Sequence, residues 1–384
     1  MSQLSYMEKL LDGVEVEWKA LGKALVRTKG TNITAGRMKE LHKDHAPLKI
    51  FAGGKTVAFV DFKDIPEKNI NREPSIIVKS RGVVEFEYYT DPFSHKNEMW
   101  SYHSKNNNIN IKYVYYYLKT KELYFQGLAS RMQMPQIATP DTDKFQIPIP
   151  PLNVQAQIVR ILDAFTELTA ELTAELTAEL TARKQQYAYY REQLLTFEEA
   201  EIAWKALGDI ATINTGQKPS EVLDVETAYD YINAGTSRSG YSESSNCEGG
   251  VVTTPSRGQG GIGYVGYQSQ PFWLGALCYK MNSIDENSLI NKYLFYFLQS
   301  RRQLLLALKK EGGVPAVNKS DLAKLEIPVP PIAEQKRIVA ILEKFEALTT
   351  SLTEGLPREI ELRQQQYEYY RELLLSFPKL EGEA

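Results

Sequence analysis

TELTAELTAELTAELTAR occupies residues 166–183 and repeats the tetrad Thr-Ala-Glu-Leu three times between Thr169 and Leu180. Alanine, glutamate and leucine are strong helix formers, so this stretch predicts a stiff helical rod. Each tetrad lengthens a helix by about 6 Å and rotates the residues after it by about 40°. The tetrad number would therefore set the length of the rod, although taken alone the stretch could also be a low-complexity spacer.

The sequence around this rod occurs in two similar copies. Ile147–Thr169 (IPIPPLNVQAQIVRILDAFTELT) matches Ile327–Thr349 (IPVPPIAEQKRIVAILEKFEALT) at 12 of 23 positions, with an offset of 180. At the same offset, Arg183–Phe197 (RKQQYAYYREQLLTF) matches Arg363–Phe377 (RQQQYEYYRELLLSF) at 11 of 15. A register held this long indicates an internal duplication, in which three tetrads make the two helical regions equal in length.

The N-terminal parts of the two copies also have similar sequences. Trp18–Gly22 (WKALG) recurs as Trp204–Gly208, and the pattern YxExLL of Tyr190–Leu195 already occurs at Tyr6–Leu11. The chain thus opens with the tail of a repeat unit. We expect its two ends to lie close in space.

Each copy consists of a variable globular stretch, a proline-rich joint and a long helix. The prolines of IPIPP and IPVPP disfavour a helix there, whereas Pro151 or Pro331 could open the helix after the joint. The expected segments are 1–13 (N-terminal part of the conserved region), 14–150 (first globular domain), 151–199 (central helix with the tetrads), 200–330 (second globular domain) and 331–384 (C-terminal helix).

Apolar residues recur every three or four positions in both helical regions, which predicts amphipathic helices that pack antiparallel as a coiled coil. Gly355 and Pro357 interrupt the second helix, where we expect a kink. The expected seam leucines are Leu168, Leu172, Leu176, Leu180, Leu348 and Leu352. Coiled-coil core or a subunit interface is expected for Tyr187, Tyr190, Tyr367 and Tyr370.

Composition indicates an ordinary globular protein. The 384 residues suffice for two or three domains, and no apolar run reaches the roughly 18 residues that span a bilayer. The start of the chain is not typical of a signal peptide. Cys247 and Cys278 are the only cysteines, which favours a reducing, cytoplasmic location without a disulfide framework.

Charge is distributed unevenly. Residues 14–150 contain 21 Lys and Arg against 15 Asp and Glu, whereas residues 200–330 contain 12 against 13. A basic first domain suits a polyanion such as nucleic acid, although an excess this small is weak evidence.

Motifs for catalysis are missing. Gly258–Gly263 (GQGGIG) matches GxGxxG, but β-forming residues rather than a helix come after it, so we expect a glycine-rich turn between strands. The sequence has no complete phosphate-binding GxxxxGK[ST] loop, no HExxH and no CxxC. The four histidines all lie in the first variable stretch, without counterparts in the second: His42, His45, His95 and His103. These observations predict neither an active site nor a metal site.

Taken together, IPxPPxxxQxxIVxILxxFxxLT in two copies, the paired RxQQYxYYRExLLxF, the TAEL tetrads and the EWKALG and AWKALG openings resemble one family. It is the specificity (S) subunit of type I restriction-modification enzymes, in particular the subfamily with central TAEL repeats. The resemblance covers nearly the whole chain. It implies a mixed α+β fold with two target-recognition domains, separated by two long antiparallel helices that form a coiled coil with pseudo-twofold symmetry.

The resemblance also implies a function without catalysis in this chain. Each domain would read one half of a split, asymmetric site on double-stranded DNA, and the coiled coil would fix the unread spacer. Two modification (methyltransferase) subunits would dock on the conserved regions, and restriction subunits would complete the nuclease. S-adenosylmethionine, ATP and Mg²⁺ would belong to those partners, and this chain would bind no cofactor or membrane.

Side chains and backbone groups that can donate hydrogen bonds to bases or phosphates are the candidate DNA contacts. The candidates are Lys55, Lys79, Ser80 and Arg81 in the first domain, and Lys218, Arg238, Ser256, Arg257, Gly258 and Gln259 in the second. Arg81 and Arg257 follow similar β-like runs and should occupy matching positions; the alternative for each is a structural arginine in a solvated turn. Gly258, Gly260 and Gly261 could admit a phosphate. Tyr115–Tyr117 and Phe295–Phe297 could stack on bases, but their helical spacing favours domain core.

Two other functions compete with this interpretation. A coiled-coil adaptor with two protein-binding lobes would show no salt-dependent affinity for DNA in its assembled complex. A methyltransferase or nuclease in its own right would need the cofactor and metal motifs that the sequence lacks.

Overall fold

The computed structural model describes residues 10–105, 108–129, 135–198, 202–226, 229–258, 260–310, 312–350 and 355–377. Its contacts divide the chain into two compact units. Unit one contains Met1–Ala174 and Glu361–Ala384, and unit two contains Glu175–Ile360.

The first globular domain lies in unit one. Its strands are β1 (Glu17–Ala20), β2 (Leu25–Thr28), β3 (Leu48–Phe51), β4 (Val57–Val60), β5 (Ser75–Lys79), β6 (Glu85–Tyr89), β7 (Phe93–His95), β8 (Trp100–Ser104) and β9 (Gln146–Ile149). Its helices are α1 (Leu21–Ala24), α2 (Ala35–Leu41), α3 (Ile111–Lys119), α4 (Glu122–Leu128) and α5 (Thr139–Asp143), with 3₁₀ turns at Phe62–Asp64 and Glu67–Asn69.

The central helix α6 (Leu152–Leu194) runs from unit one into unit two, where the second domain begins after it. The strands of that domain are β10 (Ala203–Ala206), β11 (Ala211–Thr215), β12 (Tyr229–Ile232), β13 (Tyr241–Ser242), β14 (Val251–Pro255), β15 (Gly266–Gln268), β16 (Trp273–Leu274), β17 (Cys278–Ser283) and β18 (Glu326–Val329). Its helices are α7 (Leu207–Ile210), α8 (Asn291–Ser300), α9 (Arg302–Ala307) and α10 (Lys319–Leu322), followed by α11 (Ile332–Thr350) and α12 (Leu356–Leu374).

The two domains share one sheet topology although their sequences have diverged. A four-stranded sheet has the order β2-β8-β5-β6 in the first domain and β11-β17-β14-β15 in the second. A three-stranded sheet has the order β4-β3-β7 and β13-β12-β16, and in both its central strand has one antiparallel and one parallel neighbour. The duplication therefore extends through the variable stretches.

A two-stranded ribbon closes each domain where the chain enters and leaves it. Strand β1 pairs with β9, with Trp18 opposite Pro148, and β10 pairs with β18, with Trp204 opposite Pro328. The proline-rich joints are thus extended, as predicted from their prolines.

Helices α3 and α8 fill the cores of the two domains. The side chain of Asn110 caps α3 by accepting a hydrogen bond from the Lys112 amide at 3.0 Å. The buried hydroxyl of Tyr113 donates to the Pro148 carbonyl at 3.0 Å, and Tyr293 repeats this contact to Pro328 at 2.9 Å. The aromatic runs of these helices thus serve the core, as their spacing predicted.

Helix α6 is continuous over 43 residues, which corresponds to about 64 Å. This confirms the rod predicted from the tetrads. Within unit one it packs against α12, where the Phe165 and Tyr370 rings are 5.5 Å apart and the Thr166 and Tyr367 hydroxyls 3.0 Å apart. These contacts run in opposite order along the two helices, so the pair is antiparallel.

Within unit two, α6 packs against α11. The Phe345 ring lies 6.1 Å from Tyr187 and 5.7 Å from Tyr190. Further along α6, Leu195 belongs to the same buried core as Ile338 and Leu342, which precede Phe345 on α11. This pair is antiparallel as well.

The interruption expected in the second helix is confirmed. Helix α11 ends at Thr350 and α12 begins at Leu356. Gly355 has a φ of +85°, and a Cβ at this position would lie 2.7 Å from the Ala347 carbonyl oxygen. Glycine is thus required where the chain leaves α11 and enters the next helix.

The leucine stripe of the tetrads needs one correction. Leu172, Leu176 and Leu180 are half-buried, as is Leu348 on α11, but Leu168 is 52% exposed. A strict four-residue spacing advances about 40° per step around the helix, so four successive leucines cannot all face one partner. Leu352 lies outside the described residues.

The expected proximity of the chain ends holds as far as the structure describes them. Leu10 and Leu11 pack on the same core cluster as Leu373 and Phe377. The beginning of the Tyr6–Leu11 pattern lies outside the described residues. In the part of the chain that is described, no helix has the length and apolar character to cross a bilayer.

Candidate nucleic-acid interface

Several loops of the first domain meet at one edge of its sheets. They come after β2, β3, β5 and β7 and comprise residues 29–34, 52–56, 80–84 and 96–99, which we call the first loop edge. The strand registers place these loops together. The deciding pairs are Thr28 with Ser101, Phe51 with His95, and Val78 with Trp100.

The second domain has an equivalent edge. Its loops comprise residues 216–222, 233–240, 256–264 and 275–277, which we call the second loop edge. Two of them touch, because a Cβ on Gly261 would lie 2.7 Å from the Gly235 nitrogen. The deciding register pairs are Thr215 with Tyr279, Pro255 with Cys278, and Ile232 with Leu274.

Arg81 and Arg257 occupy matching positions on these edges, as predicted. Arg81 forms an isolated β-bridge with Gln136, and Arg257 forms one with Ala316. Gln136 and Ala316 are 180 positions apart, which is the offset of the duplication. Both arginine side chains are exposed.

The first loop edge displays other cations as well. Lys55 is exposed at the tip of the β3–β4 hairpin, next to Gly54 with a φ of +67°. Lys29 is exposed in the loop after β2. Lys29 was not nominated from the sequence, because only the β2–β8 pairing brings its loop to this edge.

Lys79 and Ser80 have partners inside the domain. The Lys79 Nζ lies 2.8 Å from Glu87 Oε2 and 3.5 Å from Glu85 Oε2, with 13% of the side chain exposed. Burial opposes the charge of Lys79, but the two carboxylates outweigh it and raise the pKa of Lys79. The buried Ser80 hydroxyl donates to the Glu98 carbonyl. Both residues thus support the loop from inside.

On the second loop edge, Lys218 and Arg238 are exposed. The Arg238 Nη1 lies 3.4 Å from Asp230 Oδ1, and its guanidinium lies 4.7 Å from the Tyr241 ring centre. Ser256 is buried, and its backbone bonds to neighbouring segments on both sides. Gln259 lies outside the described residues.

The glycines of GQGGIG form a turn between β14 and β15, as predicted. Gly258 has a φ of +118°, which favours glycine, and its amide donates to the Pro315 carbonyl at 3.1 Å. Gly261 is required by its contact with Gly235. Gly260 is exposed, and an added Cβ would meet nothing within 4 Å. Of the three, Gly260 leaves open space at the surface.

The aromatic runs lie away from this surface. Five of their six rings are at most 5% exposed, and Tyr115 is half-buried beside Tyr88. The buried rings are Tyr116, Tyr117, Phe295, Tyr296 and Phe297. They form domain core rather than a stacking platform.

Contacts between each domain and its helix escaped the sequence analysis. Lys112 on α3 lies 2.8 Å from Asp163 on α6, and its counterpart Lys292 on α8 lies 3.8 Å from Glu343 on α11. The Tyr116 hydroxyl also donates to Asp163, at 2.5 Å. The sequence does contain a signal for these contacts, because the lysine and the acidic residue of the first pair both have counterparts at an offset of 180.

The histidines do not form a site. His95 is fully buried, with Nε2 3.2 Å from the Ser101 hydroxyl, and burial lowers its pKa to about 4. Among the described residues, no group of three or more His, Cys, Asp and Glu side chains is arranged to hold a metal ion.

Comparison with protein families identifies the family of the duplicated chain. A model described as the type I restriction modification DNA specificity domain matches residues 33–182 and 201–362, once in each copy of the duplication. The chain belongs to the type I restriction-modification specificity subunit family. The family membership expected from the duplicated motifs is thus confirmed. Specificity subunits are the non-catalytic members of these systems.

Known specificity subunits resemble the chain over its whole length. It is 36% identical to the specificity subunit of type I restriction enzyme EcoR124I/EcoR124II from Escherichia coli, over 99% of each chain. The solved S subunit from M. genitalium matches with a TM-score of 0.53 and 18% identity, over 96% of this chain and 98% of that one. A chain from a solved type I restriction-modification system matches with a TM-score of 0.64 and 16% identity, over 95% and 98%. These neighbours confirm the mixed α and β fold.

Proposed function

We propose that this specificity subunit reads a split, asymmetric site on double-stranded DNA, with one half-site for each globular domain, residues 14–150 and 200–330. One observation carries the proposal. The two domains present loop edges on the same sheet frame, but the loops and their exposed side chains differ. Identical edges would read two identical half-sites, whereas unlike edges read unlike ones.

The exposed cations of the two edges are the proposed DNA contacts. They are Lys29, Lys55 and Arg81 in the first domain, and Lys218, Arg238 and Arg257 in the second. Lysine and arginine neutralise phosphates, and arginine also reads guanine in the major groove. Gly258 belongs to the same loop as Arg257, and Gln259 stays a proposed contact from its place in the sequence alone. Lys79, Ser80 and Ser256 hold the loops in place from inside the domains.

The tetrads of α6 set the spacer between the half-sites in this proposal. One tetrad adds about 6 Å and 40° to the helix, which is of the order of one base-pair step of about 3.4 Å. A change in tetrad number would therefore change the unread spacing and leave both loop edges unaltered.

The helical regions are the proposed docking surface for two modification subunits, to which restriction subunits add. Tyr189 and Tyr369 are 61% and 55% exposed and 180 positions apart, so each copy of the duplication exposes an equivalent aromatic ring. Tyr190, 40% exposed, extends this surface. Tyr187, Tyr367 and Tyr370 belong mainly to the helix seams.

The partners supply the cofactors in this proposal: S-adenosylmethionine for methylation, and ATP and Mg²⁺ for restriction. Cys247 and Cys278 are buried and unpaired, which suits a reducing cytoplasm.

The test is the methylation pattern of the assembled methyltransferase. The chain is co-expressed with its modification subunit in a host without adenine methylation, and methylated adenines are mapped across the genome. One split motif with two different halves is expected. A palindromic motif, an unsplit motif or no methylation would refute the proposal. Absence of salt-dependent DNA binding by the complex would favour the adaptor function instead.

A further inference from the structure

The second loop edge holds one arginine in place. The loop that carries Arg238 spans residues 233–240, whereas its counterpart in the first domain is the shorter loop 52–56 with Lys55. Arg238 is fixed on two sides, by the carboxylate of Asp230 at 3.4 Å and by the ring of Tyr241 at 4.7 Å. The Tyr241 ring is itself 8% exposed and therefore a rigid support.

The other cations of the second edge have no such support. Lys218 and Arg257 are exposed, and neither forms an ion pair with any described residue. A cation without such support can adjust its position to bind a phosphate group, and a phosphate contact carries no information about the base sequence. An arginine already held in one orientation loses less side-chain freedom when it meets a base, and so discriminates better.

A polar cavity of about 400 Å³ opens beside Arg238. Its lining includes Asn233, Thr253 and Gln268.

We infer that Arg238 is the specificity-determining residue of the second half-site and reads a guanine, while Arg257 and Lys218 bind phosphates. Asp230 engages Nη1, which leaves the other guanidinium N–H groups for the O6 and N7 acceptors of guanine. Asp230 and Tyr241 are positioning residues, and the cavity gives the base edge a concave polar surface. This inference rests on the proposed function.

The test uses the assembled methyltransferase and compares Arg238→Ala, Arg238→Lys and Asp230→Asn with the unchanged chain. Binding is measured on the mapped motif and on a panel with each base pair of the second half-site substituted. Arg238→Ala should lose about 5- to 150-fold on the cognate site and accept any base at one former guanine position. Arg238→Lys should also lose the base preference, because lysine lacks the planar fork, but should keep the salt dependence. Asp230→Asn should relax the same position more weakly.

A matched control exists in the first domain. Arg72 also has a carboxylate partner, Glu67 at 2.8 Å, and lies 5.0 Å from the Phe62 ring, with 50% of its side chain exposed, as for Arg238. It precedes β5 and therefore lies at the strand ends opposite the first loop edge. Arg72→Ala should leave the motif and the affinity unchanged.

The outcomes separate this inference from the function on which it rests. If Arg238→Ala keeps the full motif, or loses affinity equally on all sequences, Arg238 binds phosphate at most and the assignment is overturned. If the unchanged chain shows no sequence-specific binding, both the assignment and the proposed function fail. The melting temperatures of the variants should match that of the unchanged chain. A large drop in the melting temperature of Arg238→Lys would show that the arginine is structural and would overturn its role in reading a base.

Discussion

Gln155 accepts a hydrogen bond from the backbone amide of Asn110 at 2.8 Å and thereby ties the start of α6 to the start of α3. Its own amide donates to the Pro150 carbonyl at 2.7 Å, and the side chain is fully buried. Gln335 makes the same contacts in unit two, to the Ile290 amide and the Pro330 carbonyl. Each joint between a domain and its helix is thus fixed by one buried glutamine.

Gln155→Leu should therefore destabilise unit one. The change keeps the approximate size of the side chain but leaves the partly buried Asn110 amide and the buried Pro150 carbonyl without this partner, at a cost of about 1–3 kcal/mol. Denaturant unfolding followed by fluorescence measures the loss. Gln157→Leu, on the same helix but only half-buried, is the control. Equal stability of the two variants would show that the Gln155 contacts do not hold the joint.

Arg257→Ala should weaken DNA binding without changing the motif. Arg257 is exposed and forms no ion pair with a described residue, so we expect a phosphate contact whose loss lowers the affinity for all sequences and reduces the salt slope by about 0.9. Titrations of the assembled complex at several salt concentrations measure both quantities. A relaxed preference at one base pair, with a loss of about 1–3 kcal/mol confined to cognate DNA, would mean that Arg257 reads a guanine instead.

Deletion of the tetrad Thr173–Leu176 should shorten the spacer of the methylated motif and preserve both half-sites. The deletion removes about 6 Å and 40° from α6 but no residue of either loop edge. Genome-wide mapping of methylated adenines gives the result directly. Glu175→Gln, which keeps the helix length, should leave the spacer as it was. An unaltered spacer after the deletion would contradict the role of the tetrads as a ruler.

The stability of unit one should depend on pH through His95. Burial lowers the pKa of His95 from 6.5 to about 4, so the folded state binds this proton less readily than the unfolded chain. Stability is then fully present above pH 6.5 and falls as the pH drops towards 4, by about 3 kcal/mol in total. Unfolding of the unchanged chain and of His95→Gln at several pH values tests this. The variant should show a flatter profile between pH 6.5 and 4, and an equally steep profile would mean that His95 does not carry the pH dependence.

The sequence was most informative where the two copies agree. The joints at Pro148 and Pro328, the rod from Leu152 and the break at Gly355 were all predictable from repeated prolines, helix formers and a helix-breaking glycine. The matching positions of Arg81 and Arg257 were also predictable, because three residues around them recur.

The loop edges were less accessible to sequence reasoning. Lys79 and Ser80 are adjacent to Arg81 and similar in chemistry to a DNA contact, but Glu87 and Glu98 on other segments engage them. Such partners are set by strand pairing between distant residues, which no local pattern reveals. For the same reason the support of Arg238 by Tyr241 could not be predicted.

The ribbons formed by β1 with β9 and by β10 with β18 bring the entry and exit of each globular domain side by side. Under the proposed function, a single recombination event that exchanged the segment between the two strands of one ribbon would replace one half-site. It would leave the helices and their proposed docking surface unaltered.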